Sequence, residues 1–458
     1  MKKLYQKIVD SKYFTVGAAL ASVCIAACWF YFVKKYSVNL LFSDAWDFHR
    51  VFIWDYTLLK QFHFQFGPHR MGIGLVITGW LNALSGWNSN WISIVIAFLI
   101  FLSFLVYLFV KYRLFRNINF FDVVIPVIVL SFTQYEVLNI TPFLSYSGVP
   151  AILVSLICLT LFVKSRLLRN ILLLFLNLNL VWSAFGFFMG LVTIMLFASE
   201  TIIDFTCGRK KSGFIGFVSF LIAVFTLVLF FKGYKTDYAS VHILILWSKP
   251  WQYLQYISHS YAGFFGFKHI GMLPFVFGFM VFSVVVFVLI KSLIGIYSRT
   301  NQDEKQVLMS KMSFILVAYS LLFVVNLAFG RLRLGFEFAG SSRYMVYLVP
   351  SIIGVYFYLN SLSLPKKSLL IPVFFIFIIF MQLSSVKSVK DMEAWYAMKS
   401  NWKYNYLKYE DADKADSVCH FRVHPNNASI QDVLDYLKKH ELNLYHTADK
   451  QDNFPGKN

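Results

Sequence analysis

Two carboxylates stand in the stretch FSDAWDFHR, residues 42–50, directly after the first long apolar run of the chain. Asp44 and Asp47 are three residues apart, so on a helix they would share one face, with Trp46 between them. Two nearby carboxylates can raise the pKa of one member and give a general base, or can together hold a divalent cation. Both aspartates are therefore candidate catalytic residues, with charged groups that simply face water as the alternative. A divalent cation stays open as a cofactor.

A second patch, FTQYEVLNITPFLSYSG at residues 132–148, sets Gln134 and Glu136 among apolar residues at a predicted membrane boundary. A carboxylate at that depth is costly, which makes it a functional candidate by default. A helix-end acid hydrated at the headgroup level is the alternative interpretation.

A third patch, GRLRLGFEFAGSSRYMVY at residues 330–347, carries Arg331, Arg333 and Arg343 among small residues, together with Glu337 and Tyr344. Small residues allow a ligand to approach the backbone, and guanidinium groups bind phosphate through two parallel hydrogen bonds. Contacts with lipid headgroups would explain the same arginines without catalysis, and even that alternative implies phosphate.

The composition predicts the elements that must position these residues. The chain has 458 residues, of which 58% are hydrophobic and only 14% charged, with a mean hydropathy of +0.62. An ordinary soluble domain has about 25% charged residues. Apolar runs near the roughly 20 residues that span a bilayer recur along the chain. We predict an all-α polytopic membrane protein with about 10–12 transmembrane helices, with spans at 14–33, 91–110, 118–134, 148–163, 171–182, 184–205, 213–232, 272–291, 313–330, 344–362 and 368–385. We expect 71–87 to be re-entrant or interfacial.

The charge distribution predicts orientation. The net charge is +19, yet residues 386–458 are balanced, so residues 1–385 hold 31 Lys/Arg against 12 Asp/Glu. These bases cluster in short loops, as the positive-inside bias requires. We therefore expect no nucleic-acid partner, a cytoplasmic N-terminus and a small soluble periplasmic tail at 386–458. The predicted external segments of the transmembrane domain, 1–385, are 34–70, 135–147, 233–271 and 331–343.

Half of the twelve acids in the transmembrane domain lie in these external segments, namely Asp44, Asp47, Asp55, Glu136, Asp237 and Glu337. Carboxylates contribute little to orientation, so topology alone does not place them there. We expect the chemistry on this face. In the tail, Ser429 is a predicted N-cap, Ile430, Val433, Leu434 and Leu437 follow at helical spacing, and Trp395 and Trp402 are predicted interface anchors.

Acids and arginines on one external face suit a polyprenyl-phosphate sugar donor. Arginine would hold the phosphate leaving group, while a carboxylate would activate the acceptor hydroxyl that attacks the anomeric carbon. The isoprenoid tail of such a donor would lie in the bilayer. A lipid-linked saccharide transporter or flippase and an O-antigen polymerase or ligase are the alternatives.

Five short motifs follow one another along the chain: Trp46-Asp47-Phe48, His69-Arg70, Gln134-Tyr135-Glu136, Gly330-Arg331 and Ser342-Arg343-Tyr344. Their order resembles the GT-C class of integral-membrane glycosyltransferases, and more closely a group of bacterial polytopic proteins with a periplasmic tail. The chain departs from the pattern of that group at Pro68, where the group has Glu, and at Val137, where the group has Asn.

The resemblance implies transfer of a sugar from an undecaprenyl-phosphate-linked donor to a cell-envelope glycan such as O-antigen, at the periplasmic face of the bacterial inner membrane. Asp44 or Asp47 would be the base, with Asp44 favoured because catalytic acids of the class tend to come just after the first helix. Arg331, Arg343 and Arg70 would bind the donor phosphate. The supporting residues would be Trp46, His69, Gln134, Glu136, Arg333, Glu337 and Tyr344.

Overall fold

The structure is a computed structural model that describes residues 2–235, 249–267, 269–297, 304–383 and 386–446. About 82% of it is helical. The helices are α1 (Lys2–Val9), α2 (Lys12–Lys35), α3 (Ala45–Ile53), α4 (Leu58–His63), α5 (Gly72–Ser85), α6 (Ser89–Phe115), α7 (Val124–Val129), α8 (Gly148–Thr160), α9 (Arg166–Val181), α10 (Phe187–Thr206), α11 (Lys210–Phe231), α12 (Pro250–Phe264), α13 (Met272–Tyr297), α14 (Glu304–Arg331), α15 (Val349–Ser361), α16 (Leu364–Leu383), α17 (Val386–Tyr409), α18 (Ala412–Cys419) and α19 (Gln431–Lys439).

Shorter pieces connect these helices. Strands β1 (Gln65–Phe66) and β2 (His69–Arg70) pair antiparallel in the first loop. A π-helix covers Glu136–Ile140. Single 3₁₀ segments cover Phe120–Val123, Phe132–Gln134, Leu144–Tyr146, Ala184–Gly186, Leu332–Leu334, Phe336–Gly340, Ser342–Tyr347, Asn427–Ser429 and Asn443–Tyr445. The site described below is built mainly from these irregular pieces.

Seven helical stretches in the described residues are long and apolar enough to cross a membrane: Lys12–Lys35, Ser89–Phe115, Ala184–Thr206, Lys210–Phe231, Met272–Tyr297, Glu304–Leu334 and Ser342–Ser361. Each contains or overlaps one predicted span. The all-α class and the repeated apolar helices of a multi-pass membrane protein are therefore confirmed.

Four predicted spans are absent from this set of seven. The stretch 118–134 breaks into short turns around α7, which ends at Val129. Helices α8 and α9 have 13 and 16 residues, so at 1.5 Å per residue each is shorter than a hydrocarbon core of about 30 Å. Helix α16 has 20 residues, a length that matches the hydrocarbon core at 1.5 Å per residue, so its length does not argue against the predicted span.

The segment predicted to be re-entrant or interfacial forms α5, which has 14 residues. The backbone N–H of Met71, just before α5, donates to Phe64 in the first loop. Gly86, just after α5, accepts a hydrogen bond from the backbone N–H of Asn443 in the tail. Both ends of α5 thus lie at the same end of the bundle, in agreement with the interfacial prediction.

The bundle has two chemically different ends. One end, which we call the loop face, holds the first loop, residues 135–147, residues 331–343 and the tail. At this end Lys399 Nζ donates to the carbonyl of Asn139 at 3.1 Å, and the backbone N–H of Glu136 donates to Ser342 Oγ at 3.0 Å. The opposite end, the basic face, holds the basic clusters that follow α6, α8 and α10. Of the predicted external segment 233–271, residues 236–248, including Asp237, lie outside the described residues.

The tail is packed onto the first loop. Their shared hydrophobic core joins Leu40, Leu41 and Trp46 to tail residues such as Val423 and Leu434, all of which are at most 2% exposed. Polar contacts reinforce this core, since the side-chain amide of Asn39 donates to the carbonyl of Asn443 at 2.9 Å. The first loop and the tail therefore form one packed layer over the bundle.

Two predictions for the tail are wrong in detail. Ser429 is not an N-cap, because it lies inside a 3₁₀ turn and its hydroxyl donates to the carbonyl of Asn426 at 2.7 Å. Trp402 is not an interface anchor, because it is fully buried and its indole N–H donates to Asp416 Oδ1 at 2.7 Å. The predicted helical spacing is confirmed, and its four apolar residues are fully buried.

Candidate functional site

A cavity opens on the loop face and brings the three polar patches together. Its charged lining residues are Asp44 from the first patch, Glu136 from the second, and Arg331 and Arg343 from the third. The remaining walls are mostly aromatic or small: Phe48, Phe66, Gly67, Pro68, His69, Val137, Thr141, Phe143, Tyr146, Phe185 and Tyr344. Residues almost 300 positions apart in the chain therefore share one pocket.

Asp44 stands at the N-cap position of α3, where its side chain makes no capping hydrogen bond. Its side chain is 46% exposed, and its Oδ2 lies 4.0 Å from Nη1 of Arg343. Ser43, at a φ of 51°, makes the sharp turn that precedes the helix, and its hydroxyl lies 3.5 Å from Asp44 Oδ1. The Asp44 carboxylate is thus presented to the cavity with much of its hydrogen-bonding capacity unused.

Glu136 and Arg343 form the fixed ion pair of the cavity. Arg343 Nε donates to Glu136 Oε1 at 2.6 Å, and its Nη2 also contacts that oxygen. The other carboxylate oxygen accepts from Ser341 Oγ at 3.1 Å and from the backbone N–H of Arg343 at 3.2 Å. Glu136 begins the π-helix, an irregular element that often occurs at functional sites. The pair leaves Nη1 of Arg343 directed towards Asp44.

Arg331 lies at the end of α14 and is the other cation of the cavity. Among the described residues, no carboxylate lies within 4 Å of its guanidinium group. Arg331 also lines a second, apolar groove, whose walls include Phe187, Phe188, Phe230 and Phe231. Cavity and groove therefore meet at Arg331.

His69 lies in β2 at the same junction and lines both spaces. Its ring packs edge-on against Phe185, with centroids 4.2 Å apart, and against Tyr146, with centroids 5.5 Å apart. Burial lowers the pKa of His69 to about 3, and the charge of Arg331 adds to this effect. His69 is therefore neutral at physiological pH, so it can position a ligand but is a poor proton carrier there.

Asp47 faces away from this cavity. Its Oδ1 lies 3.2 Å from Arg50 Nη1, and its Oδ2 lies 3.4 Å from His424 Nε2 in the tail. Asp44 and Asp47 therefore occupy different surroundings despite their close spacing in the sequence. In the part of the chain that the structure describes, no group of three His, Cys, Asp or Glu side chains is placed to hold a metal ion.

Arg70 does not line the cavity either, although it was a predicted phosphate ligand. Its Nε, Nη1 and Nη2 donate to the backbone carbonyls of Phe230, His63 and Lys232 at 2.8, 2.7 and 2.6 Å. Since these bonds engage all three nitrogens, Arg70 ties the first loop to the end of α11. Arg70 is therefore not among the proposed ligands of the donor phosphate.

The other predicted supporting residues divide between the core and the surface. Trp46 is fully buried in the core shared with the tail. Gln134 is fully buried, and its side-chain amide donates to the carbonyl of Val129 at 3.0 Å, at the break after α7. Arg333 and Glu337 are exposed, and Arg333 lines the apolar groove. Tyr344 lines the cavity itself.

Two buried ionic clusters near the basic face were not predicted from the sequence. Glu200 is paired with Lys311, with Arg166 at 2.9 Å and with Arg169 at 3.1 Å. Asp122, the centre of the second cluster, binds Lys111 at 2.6 Å and accepts from the Tyr356 hydroxyl at 2.7 Å. Glu200 stands inside an apolar helix, and such an acid is a sequence signal for a buried partner.

Pro68 and Val137, the two positions that depart from the resembled pattern, both line the cavity. The departures therefore change the cavity wall and leave Asp44, Glu136, Arg331 and Arg343 in place. No family model matches this chain, and neither a curated protein nor a solved structure matches it.

Proposed function

We propose that this protein is an integral-membrane glycosyltransferase that uses an undecaprenyl-phosphate-linked sugar. The observation that carries this proposal is the position of Arg331, where an aromatic groove meets a cavity that contains the partly exposed carboxylate of Asp44. A lipid-phosphate sugar has the same three parts in the same order, namely an apolar chain, a phosphate and a polar sugar. Each part would meet the surface that suits it.

The lipid chain would occupy the apolar groove beside α10 and α11. The groove is lined by phenylalanines such as Phe187, Phe188 and Phe231, which offer no hydrogen bonds and suit an isoprenoid. At the head of the groove, the guanidinium of Arg331 would bind the phosphate with charge-assisted hydrogen bonds. This contact would stabilise the negative charge that grows on the phosphate as the bond to the sugar breaks.

The sugar would then lie in the cavity, next to Asp44. We propose that Asp44 removes the proton of the acceptor hydroxyl as the hydroxyl oxygen attacks the anomeric carbon, which releases undecaprenyl phosphate. The aromatic rings of Phe48, Tyr146 and Tyr344 would pack against the sugar. The ion pair of Glu136 and Arg343 would keep Nη1 of Arg343 near both the phosphate and the base.

The acceptor would approach from the loop face, where the cavity opens and the tail packs against the first loop. We propose that this face is periplasmic, that the membrane is the bacterial inner membrane and that the acceptor is a cell-envelope glycan of the O-antigen type. The excess of bases at the opposite end of the bundle supports this orientation.

Asp44→Asn should abolish sugar transfer, because a positioned general base typically contributes about 10²–10⁴-fold to the rate. Arg331→Gln should lower transfer by about 10²–10³-fold, the usual effect of removing a group that stabilises developing charge. The measurement is release of undecaprenyl phosphate from a panel of radiolabelled undecaprenyl-phosphate monosaccharides, in membranes that contain the full chain and its native acceptor.

Asp47→Asn is the matched control, since Asp47 is three residues away but faces Arg50 and His424. It should keep transfer within a few-fold of the wild type. Full activity of Asp44→Asn would remove Asp44 as the base. If the wild type releases no undecaprenyl phosphate but moves lipid-linked saccharide across vesicles, the transporter alternative replaces this proposal. Growth of glycan chains by block transfer would instead favour a polymerase or ligase.

A further inference from the structure

The basic face contains a second, open pocket between the ends of α6, α8, α9 and α14. Among the described residues, eight Lys and Arg side chains line it, against two carboxylates. The positive-inside bias explains why bases lie at this end of the bundle. It does not explain why residues from separate loops converge on a single pocket.

The inner wall of this pocket is already organised by ionic contacts. Glu200, only 1% exposed, is paired with Arg166, Arg169 and Lys311. Arg166 nevertheless keeps a buried Nε with no hydrogen-bond partner. Asp204 also pairs with Arg166 at 3.2 Å and with Arg209 at 2.8 Å, so two carboxylates hold these cations in place, and the described bases of the pocket still outnumber its carboxylates.

Three further bases form the outer rim: Arg113 and Arg116 at the end of α6, and Lys164 after α8. All three are exposed. Within the described ranges, none of them has a carboxylate within 4 Å. Arg113 lies over the ring of Phe162, 5.2 Å from its centroid, which fixes its direction along the pocket edge. The rim can therefore bind an external anion without breaking an existing ion pair.

Apolar residues lie next to this charge. Leu114, Leu161 and Leu308 line the same pocket, and α9 presents Leu168 and Ile171, which are 49% and 53% exposed, towards the surroundings beside it. A ligand that fits both surfaces has an anionic head and apolar chains. We propose that this pocket binds the phosphodiester headgroup of an anionic phospholipid from the leaflet at the basic face, with its acyl chains along α9.

The full chain reconstituted in phosphatidylcholine nanodiscs should gain thermal stability when phosphatidylglycerol is added, because a ligand that binds only the folded state raises the unfolding temperature. The triple variant R113Q/R116Q/K164Q should lose at least half of that gain. It should also retain less phosphatidylglycerol on purification, as measured by mass spectrometry of the bound lipid. The three side chains are exposed, so folding in phosphatidylcholine should be preserved.

The matched control is K210Q/K211Q, which removes two exposed lysines from the same face but outside the pocket. It should keep the full gain in thermal stability on addition of phosphatidylglycerol. An equal loss in the control would mean general surface charge and would overturn the site. So would a triple variant with an unchanged gain, or stabilisation of the wild type by inorganic pyrophosphate but not by phosphatidylglycerol, which would indicate a soluble anion.

Discussion

Asp44 sits at a helix N-terminus without accepting a hydrogen bond from the first turn of that helix. An aspartate at this position normally satisfies a backbone N–H there. Its carboxylate instead faces Arg343 across 4.0 Å, so the neighbouring charge does not neutralise it through a close ion pair. Glu136, by contrast, is fully engaged by Arg343 and Ser341. One carboxylate of the cavity is therefore available for chemistry and the other is structural.

Glu136→Gln should weaken both the cavity and the fold, because it leaves Arg343 without its anionic partner. Losing hydrogen bonds to a charged group costs about 1–3 kcal/mol, so the unfolding temperature in detergent should fall. Sugar transfer should fall more than stability alone explains, since Nη1 of Arg343 would no longer be held near Asp44.

Asp432→Asn is the control for this substitution, because it removes an exposed partner of Arg50 at 3.2 Å, away from the cavity. It should change neither the unfolding temperature nor the rate of sugar transfer appreciably. Wild-type transfer by Glu136→Gln at matched protein levels would contradict the positioning role of the pair.

Among the elements, the π-helix from Glu136 to Ile140 links the tail to the cavity. Lys399 of α17 is 1% exposed, and its Nζ donates to the carbonyls of Asn139 and Ile140 at 3.1 Å each. The amino group of Lys399 satisfies these two carbonyls, so they need no hydrogen bond within the π-helix. The element that presents Glu136 is thus held from above by α17.

The stability of this contact should depend on pH through Lys399. Burial lowers the pKa of Lys399 to about 7, whereas an unfolded lysine has a pKa of about 10.4. Between these values the unfolded chain binds more protons, so stability should rise as pH increases from about 7 to 10. Below pH 7 both states are protonated, and the cost of burying the charge is felt in full.

Lys399→Met should flatten this rise, which thermal unfolding in detergent from pH 7 to 10 would measure. Lys408→Met is the control, because Lys408 is an exposed lysine on the same helix. It should follow the wild-type pH profile. An identical slope in wild type and Lys399→Met would show that Lys399 is not the titrating group.

Part of this arrangement could be predicted from the sequence. Apolar run lengths identified the long helices, and the spacing of Ile430, Val433 and Leu434 identified a buried helix face, because both depend on neighbours in the chain. The position of Arg70 could not be predicted, since two of its three acceptors are carbonyls about 160 residues away. Nor could the spacing separate Asp44 from Asp47, because Arg343, which faces Asp44, and His424, which faces Asp47, are hundreds of residues away in the chain.

At the scale of the whole molecule, opposite chemistries occupy the two ends of one bundle. The loop face combines Asp44, Glu136 and two arginines in a small cavity, while the basic face concentrates eight bases in a wide pocket. Apolar helices with exposed leucine, isoleucine and phenylalanine side chains separate them. The orientation of the protein in the membrane can therefore be tested by labelling one residue at each end of the bundle.

Cys207 follows α10 at the basic face and is exposed, and Ser417 is exposed in α18 at the loop face. In a background whose other cysteines are replaced by alanine, a membrane-impermeant maleimide applied to spheroplasts should label Ser417→Cys. It should label Cys207 only after the membrane is permeabilised. The reverse pattern would place the cavity in the cytoplasm and contradict the proposed orientation.

The packing of the tail on the first loop also constrains how the protein is made. Asn39 leaves the ribosome hundreds of residues before Asn443, the residue whose carbonyl and side chain it binds. Trp46, two residues after Asp44, likewise cannot be fully packed before Val423 and Leu434 have been synthesised. During synthesis the helices can insert one after another, but the first loop acquires its final support only when the last tenth of the chain has been made. The cavity can therefore reach its final structure only after the tail has been synthesised.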